Sequence, residues 1–119
     1  MIRLKRIYEQ PSDQDGFRVL VDRLWPRGLR KNEVRLDLWL KEIAPRDELR
    51  KWFSHDPERW NGFQEKYTQE LQGKTELVVQ LLTLGKTHKT VTLLYSARDT
   101  DHNQAVVLMD FLKKQPKKL

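Results

Sequence analysis

Two short runs of the chain gather residues that can bind charge or move it. "DRLWPRG" holds Asp22, Arg23, Trp25 and Arg27, and "YSARDTDHN" holds Ser96, Arg98, Asp99, Asp101, His102 and Asn103. A guanidinium is a planar fork of N–H donors matched to phosphate or carboxylate, so Arg23, Arg27 and Arg98 are candidate anion ligands. Asp99 and Asn103 complete the candidate ligand-binding set, with His102 and Asn103 orienting the ligand or acting in proton transfer. Trp25, between two arginines, would stack on the ligand or shield the arginine pair. His102 can exchange a proton near neutral pH. With Ser96 as nucleophile and Asp22 or Asp99 as orienter, His102 and Ser96 are the candidate catalytic residues.

Plainer roles compete with each of these. Asp99 or Thr100 can cap a helix, Asp101 in the first turn suits the helix dipole, and Arg98 can pair with Asp22 or Asp99. Capping alone calls for none of Arg98, His102 and Asn103, which keeps those three as site candidates. His55 precedes Asp56 and reads as a helix-boundary residue, while His88 sits in the loop "KTHKT". The three histidines are scattered without a ligand spacing. Neighbouring arginines oppose a hard cation at Asp22, Asp99 and Asp101, so no metal is expected. Neither the dinucleotide-binding nor the Walker pattern of glycines occurs, and no cofactor is expected. An anion site must therefore be built from side chains and one helix end.

The elements that would position these residues are legible from periodicity. Ile2, Leu4 and Ile7 mark a first strand near residues 2–8, and "EQPSDQDG" is a loop. "FRVLVDRL" alternates as a central strand and "WPRG" turns the chain after it. Residues 35–43 fit strand or helix; Ala44-Pro45 stops the segment early and favours a short strand. Helices follow. Leu49, Trp52 and Phe53 form one stripe, and Trp60, Phe63, Tyr67 and Leu71 form a second after an Asp56 cap with Pro57 in the first turn. Gly73 should end that helix. A third runs from about Thr75, with Gly85 as its expected stop. "TVTLLY", apolar on both faces, reads as a buried strand of a parallel sheet. The last helix is expected from about Thr100 to Lys114. Trp39, Trp52 and Trp60 are expected in the core. Strands separated by helices predict an α/β fold: a single compact domain over residues 1–112, a small, mostly parallel sheet with helices packed on it, and a basic tail at 113–119.

Composition narrows the function classes. The chain has 119 residues, enough for one core, and no cysteine, which removes disulfides, thiolate metal sites and thiol catalysis. No apolar run reaches the roughly 20 residues that span a bilayer, so no membrane partner is expected. The first ten residues interleave charge with apolar side chains, unlike a signal peptide, and the reading leans to a cytoplasmic protein. Net charge is +6. Lys113, Lys114, Lys117 and Lys118 cluster in the tail, which is either a solvated end or a weak, salt-sensitive nucleic-acid contact.

Four motifs taken in order, "VLVDRLWPRGL", "LDLWLKEIAP", "LRKWFSHDPERW" and "VTLLYSARDTDHNQAVVL", resemble the YeaO-like family of bacterial proteins, domain of unknown function 488. The resemblance covers nearly the whole chain and implies a compact α/β domain. The family's motif residues fall here on Asp22, Arg23, Trp25, Pro26, Arg27, Gly28, His55, Asp56, Pro57, Arg98, Asp99, His102 and Asn103. Longer members often hold a Cys where this chain has Tyr95 or Ser96, so thiol chemistry does not carry over. Some members are labelled transcriptional regulators, yet this chain shows no helix-turn-helix signature.

In an open parallel sheet, ligands bind beyond the carboxyl ends of the strands. The two polar runs each follow a strand, so the expected function is binding of an anionic small molecule or phosphate group at that edge, with a catalytic role left open. The alternative is a nucleic-acid-associated accessory or regulatory protein acting through a basic surface. A third reading is a protein-interaction module. The oligomeric state is not readable from the chain.

Overall fold

The computed structural model describes residues 1–116. Four strands, β1 (Ile2–Arg6), β2 (Phe17–Leu20), β3 (Leu38–Trp39) and β4 (Val91–Tyr95), form one sheet in the order β1-β4-β2-β3. All three pairings are parallel. The helices are α1 (Asp47–Phe53), α2 (Trp60–Gln72), α3 (Thr75–Thr87) and α4 (Gln104–Lys113). The α/β fold expected from the strand–helix order is thus what forms. The ambiguous segment at 35–43 contributes a two-residue edge strand followed by a 3-10 turn at Lys41–Ile43.

The two faces of the sheet are covered differently. Val19, Val21, Val91, Leu93 and Tyr95 pack against Phe53, Phe63, Tyr67, Leu71, Val78, Leu81 and Leu108 of the helices. The opposite face presents Ile7, Leu20 and Leu94. It is covered by the long β2–β3 connection, through Trp25, Leu29, Val34 and Leu36, and by Trp39. Every residue of β4 is buried, as its double-sided apolar pattern requires. Trp39 belongs to this second cluster, whereas Trp52 and Trp60 are half-buried against the first.

Helix ends show where local chemistry overrides periodicity. Asp56 caps its turn as expected, its carboxylate accepting the Glu58 N–H at 3.0 Å with Pro57 at the first position, and Gly73 closes α2. Gly85 does not stop α3, which continues to Thr87, where the Thr87 hydroxyl donates to the Thr83 carbonyl. Nor does α4 begin near Thr100. Asp99 accepts the backbone N–H groups of both Asp101 (2.9 Å) and His102 (3.0 Å), a side-chain turn that holds the chain out of helix until Asn103. Lys113 lies within α4 and Lys114 pairs with Asp110 at 2.9 Å; Lys117 and Lys118 lie outside the described residues. Among the described residues, no helix is long and apolar enough to cross a membrane.

One buried ionic cluster ties β1, β2 and β4 together. Asp15 and Arg18 are 1% and 0% exposed and pair directly, with Lys5 of β1 3.1 Å from the same carboxylate. Arg18 Nε donates to the Arg35 carbonyl, and the Thr92 hydroxyl of β4 donates to the Asp15 carbonyl at 2.6 Å. Gly16 makes this possible: its φ is +64°, and a Cβ there would meet the Thr90 carbonyl at 2.2 Å. Burial pushes the Asp15 carboxyl up, but the Ser12 N–H and the Lys5 and Arg18 cations pull harder and hold it below the ordinary value. A carboxyl depressed on folding stabilises the protein above the ordinary aspartate pKa and loses that contribution as pH falls through the depressed value. Asp15→Ala, which leaves Arg18 buried without its partner, is expected to cost about 3–5 kcal/mol in urea denaturation. Arg35→Ala, which removes only an exposed pair with Asp13, should cost less than about 1 kcal/mol. The parent's loss of stability below about pH 4 should be shallower in Asp15→Asn.

Candidate functional site

β2 and β4 are hydrogen-bonded neighbours running the same way, with Leu20 in register with Leu94. Their carboxyl ends therefore leave the sheet side by side, and the two polar runs share one edge. Asp22 ties them together. Its Oδ2 accepts the Ser96 N–H at 3.0 Å and the Ser96 hydroxyl at 2.6 Å, and its Oδ1 accepts the Gln104 amide from the first residue of α4. Asp22 is 8% exposed. Desolvation pushes its carboxyl above the ordinary value, against the pull of the Ser96 and Gln104 donors and of nearby His55.

An open cavity of about 1180 Å³ lies at this edge. Of the residues singled out from sequence, Arg23, Trp25, Arg27, Ser96, Arg98 and Asp99 line it, and His102 and Asn103 do not. Six cationic side chains border the cavity, Arg6, Arg23, Arg27, Arg50, Lys51 and Arg98, against the two carboxylates Asp22 and Asp99.

The arginines fall into two groups. Arg23 donates to the carbonyls of Ala44 (3.0 Å) and Pro45 (3.2 Å) and lies 3.5 Å from Glu42, so it braces the cavity wall. Arg6 donates to the carbonyls of Ala97 (2.9 Å) and Ser96 (3.1 Å) and lies over the Tyr8 ring at 4.9 Å. By contrast, the side chains of Arg27, Lys51 and Arg98 are exposed and make no hydrogen bond or ion pair among the described residues. The plainer alternative for Arg98, an ion pair with Asp22 or Asp99, does not form among the described residues. Arg50 pairs with Asp47 at 3.3 Å, but its Nε is buried with no partner among the described residues.

Three sequence assignments need correction. Asn103, not Asp99 or Thr100, caps α4: its Oδ1 accepts the N–H groups of Ala105 (2.9 Å) and Val106 (3.2 Å), and its amide donates to the Asp99 carbonyl at 2.9 Å. It is fully buried, so capping does need it, and two of the helix-end donors proposed for an anion, the Ala105 and Val106 N–H groups, are already used. His102 turns away from Ser96. Its Nδ1 lies 3.0 Å from Asp99 Oδ2, and its ring meets Trp60 edge-on at 5.1 Å. Hydrogen bonding from the Asp101 N–H, with help from His102, holds the Asp99 carboxyl below the ordinary value. No Ser96–His102 hydrogen bond forms among the described residues, because the Ser96 hydroxyl donates to Asp22. Trp25 does both things expected of it in part: its indole N–H donates to the Leu29 carbonyl at 2.7 Å and its ring packs against Trp39 at 5.4 Å, while one side borders the cavity.

Sequence reasoning missed the far wall. Ser54 and His55 carry consecutive positive φ values, 44° and 56°, uncommon for residues other than glycine. They bend the chain from the end of α1 into the Asp56 cap and set His55 on the cavity. The available signal was distance: a helical stripe ending at Phe53 and a cap at Asp56 leave only two residues for a sharp reversal. Arg6 was legible only through topology, because β1 pairs in parallel with β4 and ends at the same edge.

The family described as "Inactive DUF488-N3 subclade" matches residues 1–118, and the chain belongs to it. The chain is similar to the uncharacterised protein YeaO of Escherichia coli, at 44% identity over 112 residues covering 94% of this chain and 96% of that one. It is also similar to the uncharacterised protein Rv3073c of Mycobacterium tuberculosis, at 39% identity over 111 residues covering 93% and 92%. No solved structure matches the chain significantly.

Two consequences are measurable. A carboxyl whose pKa rises on folding costs stability as pH rises from the ordinary value through the raised one. Asp22→Asn keeps an acceptor for Ser96, and Gln104 can flip its amide. The variant should therefore melt at or above the parent at pH 8, with that relative gain fading towards pH 4. Asn103→Ala should cost about 1–2 kcal/mol by denaturant titration through loss of the α4 cap.

Proposed function

We propose that this protein binds an anionic small molecule in the cavity at the carboxyl edge of its sheet and does not chemically transform it. The observation that carries this reading is the meeting of Arg27, Lys51 and Arg98, none with a carboxylate partner among the described residues, around one recess. Like charges around one recess repel, and an anion bound among them would turn that cost into attraction. Arg50 also borders the recess, and its Nε is buried with no partner among the described residues.

Binding without turnover is favoured by three features. The subclade is described as inactive. The chain has no cysteine, so the thiol found in longer members that it resembles has no counterpart. The Ser96 hydroxyl donates to Asp22 and His102 lies against Asp99, so no Ser–His pair forms at the cavity among the described residues.

Inorganic phosphate, pyrophosphate and organic phosphates, screened at constant ionic strength, should raise the melting temperature. At a hundredfold excess over Kd the stabilisation is about 2.7 kcal/mol, on the order of 10 °C for a domain of this size. Arg98→Ala should abolish the rise, and Lys114→Gln should leave it intact. A rise that survives Arg98→Ala, or no rise with any of these anions, would end the proposal. Binding of duplex DNA that falls steeply with salt and is indifferent to Arg98 would support the nucleic-acid reading instead.

A further inference from the structure

The cavity is not uniformly polar. Four large apolar side chains are exposed among the described residues, and two of them, Tyr8 (42%) and Leu24 (58%), stand at this one recess. Phe53 and Phe63, stacked at 4.3 Å, border it from the helical side, and Pro26 does so from the β2 side. Inorganic phosphate displaces only a few water volumes of about 30 Å³ each and would leave most of the roughly 1180 Å³ filled with solvent. It would also leave Tyr8 and Leu24 in water. Sites of about 300–1,000 Å³ with apolar walls and a few convergent polar groups are the usual size for small organic ligands.

Resting on the anion-pocket reading, we infer that the ligand class is an aromatic phosphomonoester, its phosphate held by Arg27, Arg98 and Lys51 and its ring lying over Tyr8 and Leu24. The charge count favours phosphate over carboxylate. A phosphomonoester carries about −1.5 to −2 near neutral pH, enough to offset most of three cations, whereas a carboxylate offsets one. The wall chemistry favours a flat ring over an alkyl chain. The half-exposed Tyr8 ring is already backed by the Arg6 guanidinium, and the planar guanidinium faces of Arg27 and Arg98 can stack on an aromatic body.

Titration calorimetry of the full chain with phenyl phosphate, n-butyl phosphate and inorganic phosphate at fixed ionic strength tests this. Phenyl phosphate should bind at least about tenfold more tightly than inorganic phosphate, the gain expected from covering about 55 Å² of apolar surface. Leu24→Ser, at an exposed position, should shrink that advantage severalfold without changing the affinity for inorganic phosphate. Arg98→Ala should weaken all three. Equal affinities for phenyl phosphate and inorganic phosphate, all lost in Arg98→Ala, would overturn the aromatic class while leaving the anion pocket standing. Equal affinities for the phenyl and butyl esters would overturn the aromatic body. Binding of none of the three would remove the class and the pocket together.

Discussion

A single buried carboxylate makes the cavity possible. Asp22 stands where β2 leaves the sheet, and it accepts from the backbone and side chain of the residue where β4 leaves the sheet, as well as from the first residue of α4. Three elements are thereby fixed at one point beyond the sheet. Parallel pairing of β2 with β4 brings the two strand ends to the same side, but pairing stops at the strand ends and would let the following loops splay. The carboxylate continues the connection past the last ladder bond. It does so under strain, since burial disfavours its charge even with three donors converging on it. The cations bordering the cavity outnumber its two carboxylates, Asp22 and Asp99.

The arginines show how position decides the role of one side-chain type. Arg18 is fully buried and answers Asp15 and a backbone carbonyl. Arg6 and Arg23 border the cavity, yet both reach carbonyls of chain segments that have no regular partners: Ser96 and Ala97 for one, Ala44 and Pro45 for the other. Such carbonyls lie outside helix and sheet ladders and need donors. The Ala44 carbonyl also accepts from Lys74, whose ammonium is pushed down by burial. These residues position walls. Arg27 and Arg98 stand past the strand ends with no such carbonyls in reach, and their charge faces the recess.

This division explains what the sequence could and could not convey. Strand and helix types followed from periodicity: the alternation of Phe17, Val19 and Val21, the doubly apolar Val91–Tyr95 run, and the stripe from Phe63 through Tyr67 to Leu71 all form as expected. The shared edge followed from the parallel α/β topology. The roles within it did not. Arg23 and Arg98 look alike in sequence, and only the tertiary approach of the Ala44–Pro45 loop separates a brace from an exposed cation. Asn103 was misread because a competing turn at Asp99 shifts the helix start by three to four residues, and side-chain hydrogen bonds of that kind leave no periodic trace. His102 was misplaced for the same reason, since the turn that delays the helix also rotates its ring onto Asp99 and Trp60.

The cavity and the helix-free face of the sheet are built from the same connection, and this bears on how rigid the site is. The segment that follows β2 places Arg27 at the cavity. Within a few residues it also places Trp25, Leu29, Val34 and Leu36 on the second apolar cluster. The Trp25 indole is fixed by the Leu29 carbonyl, and Trp39 is fixed by the Asp22 carbonyl at 2.7 Å. The Tyr8 hydroxyl in turn donates to the Arg27 carbonyl at 2.8 Å, joining the end of β1 to the same loop. A loop that also serves as half of a core cannot swing freely without exposing that core. Arg27 therefore sits on a backbone held by apolar packing at the border of the recess. The parallel sheet has left one face without helices, and covering that face with the β2–β3 connection is what stiffens one wall of the cavity.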